Sequence, residues 1–121
     1  MRKVLMVTSE ASPFAKTGGL ADVSGSLPGA LNKEGVDTRV ILPKYGTIPA
    51  EWKERIFHKQ AITVKVGWKN QYCGIEQAEY NGVIWYFIDN EYYFKREGLY
   101  GYFDEAERFA FFCRAVLEAI P

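Results

Sequence analysis

The chain has 121 residues, 48% of them hydrophobic and 25% charged, and its basic and acidic side chains cancel to a formal charge of zero. That length suits one domain with its own core and is too short for two. The charge balance argues against the broad basic face that nucleic-acid binding needs, and no apolar run approaches the ~20 residues of a membrane span.

The start, Met1-Arg2-Lys3-Val4, leads into a short apolar run rather than a secretory signal, so the chain reads as cytoplasmic. Val4-Leu5-Met6-Val7 opens a strand predicted over residues 4–9, followed by a loop to Gly19 and a helix to about Glu34, with Gly35 as its stop. A second strand over residues 38–42 completes a β-α-β unit, for which a right-handed crossover and a parallel sheet are expected. Leu20, Val23, Leu27, Ala30 and Leu31 recur at helical spacing and are expected to pack on that sheet. Pro28 interrupts them: inside a helix it deletes a hydrogen bond and costs roughly 3 kcal/mol, so the helix either kinks or begins anew there.

The chemistry concentrates at the turn before this helix, Lys16-Thr17-Gly18-Gly19-Leu20-Ala21-Asp22. Glycines let a ligand approach the backbone, and the first helical N–H groups lack intrahelical partners at the positive end of the dipole, so an anion such as phosphate is favoured. A strand, glycine turn and helix also occur as a plain connection in many α/β proteins. Neither G-x-G-x-x-G nor a turn ending Gly-Lys-Ser/Thr is present, which disfavours nicotinamide cofactors and Walker-type nucleotide hydrolysis.

Beyond Pro43, residues 45–49 read as loop and 50–55 as a short helix. Residues 62–66 alternate apolar and polar, 72–80 read as strand, and Asn81-Gly82 is the favoured two-residue hairpin turn before a strand over 83–88. These make an antiparallel meander whose last strand, apolar on both faces, is expected to be covered on both sides. An aromatic loop follows, with Tyr92, Tyr93, Phe94, Tyr100, Tyr102 and Phe103, whose rings either contact sugars or bury the loop. The final helix is signalled by Asp104 as N-cap, Glu107 in a capping-box relation, and an apolar stripe of Ala106, Phe109, Ala110, Cys113, Val116, Leu117 and Ile120. A further strand is expected after Pro121, and the sheet edge it leaves open invites pairing with a second copy of the chain as a homodimer. Cys73 and Cys113 lack metal or redox spacing and read as buried small hydrophobes, and His58 reads as structural or surface.

Several segments together carry a resemblance. Ser9-Glu10, Pro13, Lys16 to Val23, Leu27-Pro28, Val40 to Tyr45, Gly98-Leu99-Tyr100-Gly101, and then Asp104, Glu107, Arg108 and Phe109 resemble, in this order, the N-terminal region of bacterial glycogen synthases and plant starch synthases. The resemblance covers essentially the whole chain. It implies a retaining glucosyltransferase that moves glucose from ADP-glucose to the non-reducing end of an α-1,4-glucan. It also implies the GT-B architecture of two Rossmann-like domains facing across a cleft. Residues 1–121 are then an incomplete N-terminal Rossmann-like domain: α/β, with a parallel sheet and an added antiparallel meander, inactive without the missing C-terminal domain. The family carries a proline at position 28, which favours the kink. No cofactor and no metal is implied, and the choice of ADP over UDP rests on the resemblance alone.

Cleaving the bond between glucose C1 and a diphosphate places negative charge on the leaving group, which fixed donors stabilise. By resemblance, Lys16 would meet a diphosphate oxygen and the N–H groups of Gly18 and Gly19 would contact the donor. Asp22 is either a helix-dipole carboxylate or, as the resemblance implies, a partner for a glucosyl hydroxyl. Tyr100 matches a family position near the active site, and Glu10, close behind the first strand, is likewise open to a structural or a binding reading. The alternative reading from another class is a free-standing sugar-phosphate or glucan-binding module without transfer activity.

Overall fold

A computed structural model describes residues 2–120. The apolar N-terminal run forms β1 (Lys3–Val7), and α1 (Gly19–Lys33) carries the chain over to β2 (Asp37–Pro43), parallel to β1 with Val7 opposite Ile41. Gly35, at φ +85, lets the chain leave the helix as expected, its N–H donating to the Asn32 carbonyl at 3.1 Å. After α2 (Ala50–Lys53), the strands β3 (Phe57–Val66), β4 (Lys69–Tyr80) and β5 (Val83–Asp89) make the antiparallel meander. Asn81 and Gly82 turn the β4–β5 hairpin with φ of 56 and 75, the double left-handed conformation that this dipeptide favours. β5 then pairs in parallel with β2, Val40 opposite Trp85, giving one five-stranded sheet in the order β1-β2-β5-β4-β3. β3 begins at Phe57, earlier than its alternation indicates, because the outermost strand needs only pairing with β4 to be extended.

β5 is the central strand and is covered on both sides, as its composition predicts. Trp85 and Phe87 meet the ring of Phe14 at centroid distances of 5.2 and 5.0 Å. The alternate residues Tyr86 and Ile88 turn to the opposite face, where a cavity of about 520 Å³ bounded by Tyr86, Leu5, Arg39, Val116 and Ile120 lies under the sheet. One face is thus covered by α1 and the loop before it, the other by α4 (Glu105–Ala119), with Tyr93 of α3 (Glu91–Phe94) reaching β4 through a hydrogen bond from Gln71.

Both long helices are rotated from the expected orientation. In α1, Leu20, Val23 and Leu27 are exposed by 52%, 57% and 41%, Ala30 is exposed and Leu31 half-buried; the buried face is Ala21, Ser24 and Pro28. The reason is proximity. Ser12 N–H donates to the Ala21 carbonyl at 2.9 Å, the Thr8 and Ser24 hydroxyls meet at 3.1 Å, and a Cβ on Gly25 would stand 2.5 Å from the Ser12 carbonyl oxygen. Only small residues fit against a loop that close. The helix continues unbroken through Pro28, without a new start.

In α4 the buried set is Arg108, Phe111, Phe112, Ala115 and Val116; of the expected stripe only Val116 is buried and Phe109 half-buried, while Ala106, Ala110, Cys113, Leu117 and Ile120 are exposed. Asp104 occupies the N-cap position, yet its carboxylate is drawn to Arg96 at 2.6 and 2.8 Å, and Glu107 turns to Lys69 and Tyr93 instead of back to the cap. Cys113 is therefore exposed, against expectation, whereas Cys73 is buried. His58 is exposed on β3, its Nδ1 3.7 Å from Glu76. Among the described residues no helix is long and apolar enough to cross a membrane, and the strand expected after Pro121 falls outside them.

Candidate functional site

The loop from β1 to α1 folds back on itself through a tight turn at residues 11–15, in which the N–H groups of Phe14 and Ala15 both donate to the Ala11 carbonyl. Phe14 is thereby driven into the core, and Lys16 to Leu20 are left on the surface at the C-terminal end of the parallel strands. Behind them lies Glu10, only 2% exposed. Its Oε1 accepts the N–H groups of Thr17 at 3.2 Å and Gly18 at 3.1 Å, and its Oε2 accepts the hydroxyls of Thr17 at 2.6 Å and Tyr100 at 2.7 Å. Burial pushes this carboxyl's pKa up, but the Thr17 and Tyr100 hydroxyls and the two backbone N–H groups outweigh it and hold the group below its ordinary value.

The Gly18 N–H thus faces inward. Those of Gly19 and Leu20 have no acceptor among the described residues and face outward at the N-terminus of α1. A Cβ at Gly18 or Gly19 would meet nothing within 4 Å, and φ at Gly18 is −169, so the pair is needed for the open space in front of the backbone and not for an unusual conformation. Lys16 Nζ lies 2.8 Å from Asp22 Oδ1, with both side chains more than half exposed. An exposed pair of this kind contributes about 0–1 kcal/mol, so the ammonium is readily exchanged to a stronger anion.

Tyr100 arrives from the far end of the chain. Its hydroxyl bridges Glu10 and the Ser9 hydroxyl, the latter at 2.7 Å, and burial together with the Glu10 charge pushes its pKa up to about 12 despite the Ser9 bond. Tyr45, fully buried, donates to the Ser9 carbonyl at 2.7 Å and fixes the same corner from β2's end. Glu10 thus joins Tyr100 to Thr17 and Gly18, and Lys16, Gly19 and Asp22 flank that turn, with Lys16 and Asp22 paired to each other. Beside it a groove of about 440 Å³ runs between Lys16-Thr17 and Gly98-Leu99, with Phe14 and Thr47 in its wall. The larger cavity under the sheet lies on the opposite face, away from this turn. Of the aromatic loop, Tyr93 and Phe94 are buried, while Tyr92 and Phe103 are exposed.

The chain as a whole is similar to known proteins. The family model for the starch synthase catalytic domain matches residues 3–121. The chain belongs to that family. The glycogen synthase of Geobacillus thermodenitrificans is 60% identical over 98% of this chain, and that of Caldicellulosiruptor saccharolyticus is 64% identical over 97%. Among solved structures, the catalytic domain of starch synthase IV from Arabidopsis thaliana, bound to ADP and acarbose, is 30% identical over 97% of this chain with a TM-score of 0.84. The chain spans about a quarter of the length of these starch and glycogen synthases, 24% in each case. Its open sheet and helices are thus part of the GT-B catalytic fold of the starch synthase family.

Two residues of this starch synthase family segment do more than sequence reasoning assigns them. Glu10 is the hub of the turn, a role hidden because its donors come from residues 17, 18 and 100. Gly25 permits the close approach of α1 to the loop, and the only signal for it is that Ala21, Ser24, Gly25 and Pro28, which share one side of the helix, are all small.

Proposed function

We propose that residues 1–121 form part of the N-terminal Rossmann-like domain of an enzyme that transfers glucose from ADP-glucose to the non-reducing end of an α-1,4-glucan, with retention. The observation that carries this reading is the outward-facing start of α1, where the Gly19 and Leu20 N–H groups, the space left by two glycines and an exchangeable lysine converge. As the C1–oxygen bond of the donor breaks, negative charge grows on the diphosphate. Lys16 leaves Asp22 to pair with it, and the helix N-terminus stabilises it further. Asp22, released, accepts a hydrogen bond from a glucosyl hydroxyl. Gly18 contributes by having no side chain in the way, and the Tyr100 hydroxyl lines the corner behind the sugar.

The remaining catalytic groups belong to a C-terminal domain that faces this turn, and the glucan acceptor enters between the two. The outer edge of β1, unpaired among the described residues, is where a further strand or a second copy of the chain would add. The reaction is placed in the cytoplasm.

The test measures transfer of labelled glucose from ADP-glucose to glycogen by the protein made from its complete reading frame, beside residues 1–121 alone. The complete protein should transfer and the short chain should not. Loss of one hydrogen-bonded charge in Lys16→Ala should lower kcat/KM about 10- to 100-fold. A complete protein without transfer, or a Lys16→Ala variant of unchanged efficiency, overturns the reading.

A further inference from the structure

Arg108 is a fully buried cation on the inward face of α4, among Phe111, Phe112 and Ala115. Its guanidinium joins three segments: Nε donates to the Tyr93 carbonyl in α3 at 2.7 Å, and Nη1 donates to the Leu99 carbonyl at 2.9 Å and to Glu105 Oε1 at 2.6 Å. The plane lies over the rings of Tyr102, Phe109 and Phe94 at 4.8, 5.4 and 5.7 Å, and Nη2 has no hydrogen-bond acceptor among the described residues. Burying a cation so incompletely satisfied is a poor way to add stability, since an apolar side chain of similar volume fills such a space without the desolvation cost. What a guanidinium supplies, and an apolar chain does not, is a rigid planar fork that fixes two carbonyls at set directions.

One of those carbonyls is Leu99, the residue before Tyr100. Holding it sets where the Tyr100 hydroxyl falls, 2.7 Å from Glu10 Oε2, with its ring 6.0 Å from that of Phe109 one position along α4. Glu10 in turn holds the Thr17 and Gly18 N–H groups. We propose that Arg108 is a positioning residue for the anion cradle, acting through the Leu99 carbonyl, the Tyr100 hydroxyl and Glu10 to keep Thr17 and Gly18 turned inward and the Gly19 and Leu20 N–H groups turned outward. The inference rests on the reading of that turn as the site of the sugar diphosphate, and it extends the site to a residue that touches no substrate.

The test uses Arg108→Lys, Tyr100→Phe and the double variant in the protein made from its complete reading frame. Arg108→Lys keeps the charge and removes the fork. Amide hydrogen exchange at Thr17 and Gly18 should quicken by about tenfold, the equivalent of one hydrogen bond to a charged group, while Val40, Ile41 and Phe87 in the sheet keep their protection. The kcat/KM for ADP-glucose should fall by a similar factor, and the double variant should fall no further than the worse single one, because both act along one line of contacts.

Unchanged exchange at Thr17 and Gly18 overturns the proposal, as does loss of protection throughout the sheet, which makes Arg108 a general support, or multiplication of the two effects in the double variant. A parent protein that does not use ADP-glucose defeats the functional reading instead. The exchange measurement still decides what Arg108 holds.

Discussion

Glu10→Gln isolates the charge at the hub of the turn while keeping its shape. The amide oxygen can still accept the two backbone N–H groups of Thr17 and Gly18, but its NH₂ then confronts the Thr17 and Tyr100 hydroxyls that now lie 2.6 and 2.7 Å from Oε2. Tyr100 can turn its proton to Ser9 and become an acceptor, whereas the Thr17 hydroxyl loses the only acceptor it has among the described residues. Hydrogen bonds to a charged group contribute about 1.5–3 kcal/mol and neutral ones about 0.5–1.5, so weakening the set costs roughly 3 kcal/mol, offset by about 1 from no longer burying a charge. A net loss near 2 kcal/mol should lower the Tm of a domain this size by about 8 °C. Part of that loss will appear locally if the turn opens before the sheet does, so the assay pairs a thermal melt with amide exchange at Thr17 and Gly18. A melt within about 1 °C of the parent, together with unchanged exchange at both amides, refutes the hub role.

The same group gives a pH dependence of defined sign. Because the carboxyl is held below the ordinary value of 4.5, its contribution is fully present above that pH and is lost as pH falls through the folded value, so the Tm gap between parent and Glu10→Gln should close on acidification below 4.5. In the native chain a thiol reagent should modify exposed Cys113 quickly and spare Cys73, whose thiol is pushed up to about 12 by burial first and by the Glu118 and Asp89 charges; equal rates would contradict the packing of β4. Gly82→Ala meets open space but keeps φ at +75, so it should cost about 1 kcal/mol in urea unfolding, and a neutral result would mean that the hairpin turn is not of the expected type.

Local chemistry made much of the fold legible. The β-α-β unit, the Asn81-Gly82 hairpin and the helix after Asp104 follow from periodicity and turn residues, because those signals lie within a few positions of the structure they specify. Orientation did not follow. A stripe of leucines and valines on α1 is visible in the sequence, but the face turned inward is decided by the Ser12 carbonyl pressing on Gly25, a contact between an irregular loop and a helix. In α4 the register was nonetheless written in the chain: Arg108, Phe111, Phe112 and Ala115 share one face, and the charge at its start disguised that face as solvent-facing. The glycine turn and its lysine were legible from residue type alone, whereas the Glu10–Tyr100 contact joins residues ninety apart and exists only once the meander has placed the aromatic loop beside β1.

A carboxylate anchored behind the turn has a kinetic consequence. Thr17 and Gly18 are held when the chain folds, so an arriving anion does not have to freeze them itself, at about 1–2 kcal/mol per residue, and encounters meet a receptor already in shape. The same negative charge lies behind the turn that leads into the Gly19 and Leu20 amides and opposes a second negative charge in front. Rapid capture is thereby joined to a tempered hold, which under the function proposed above would favour release of the spent nucleotide.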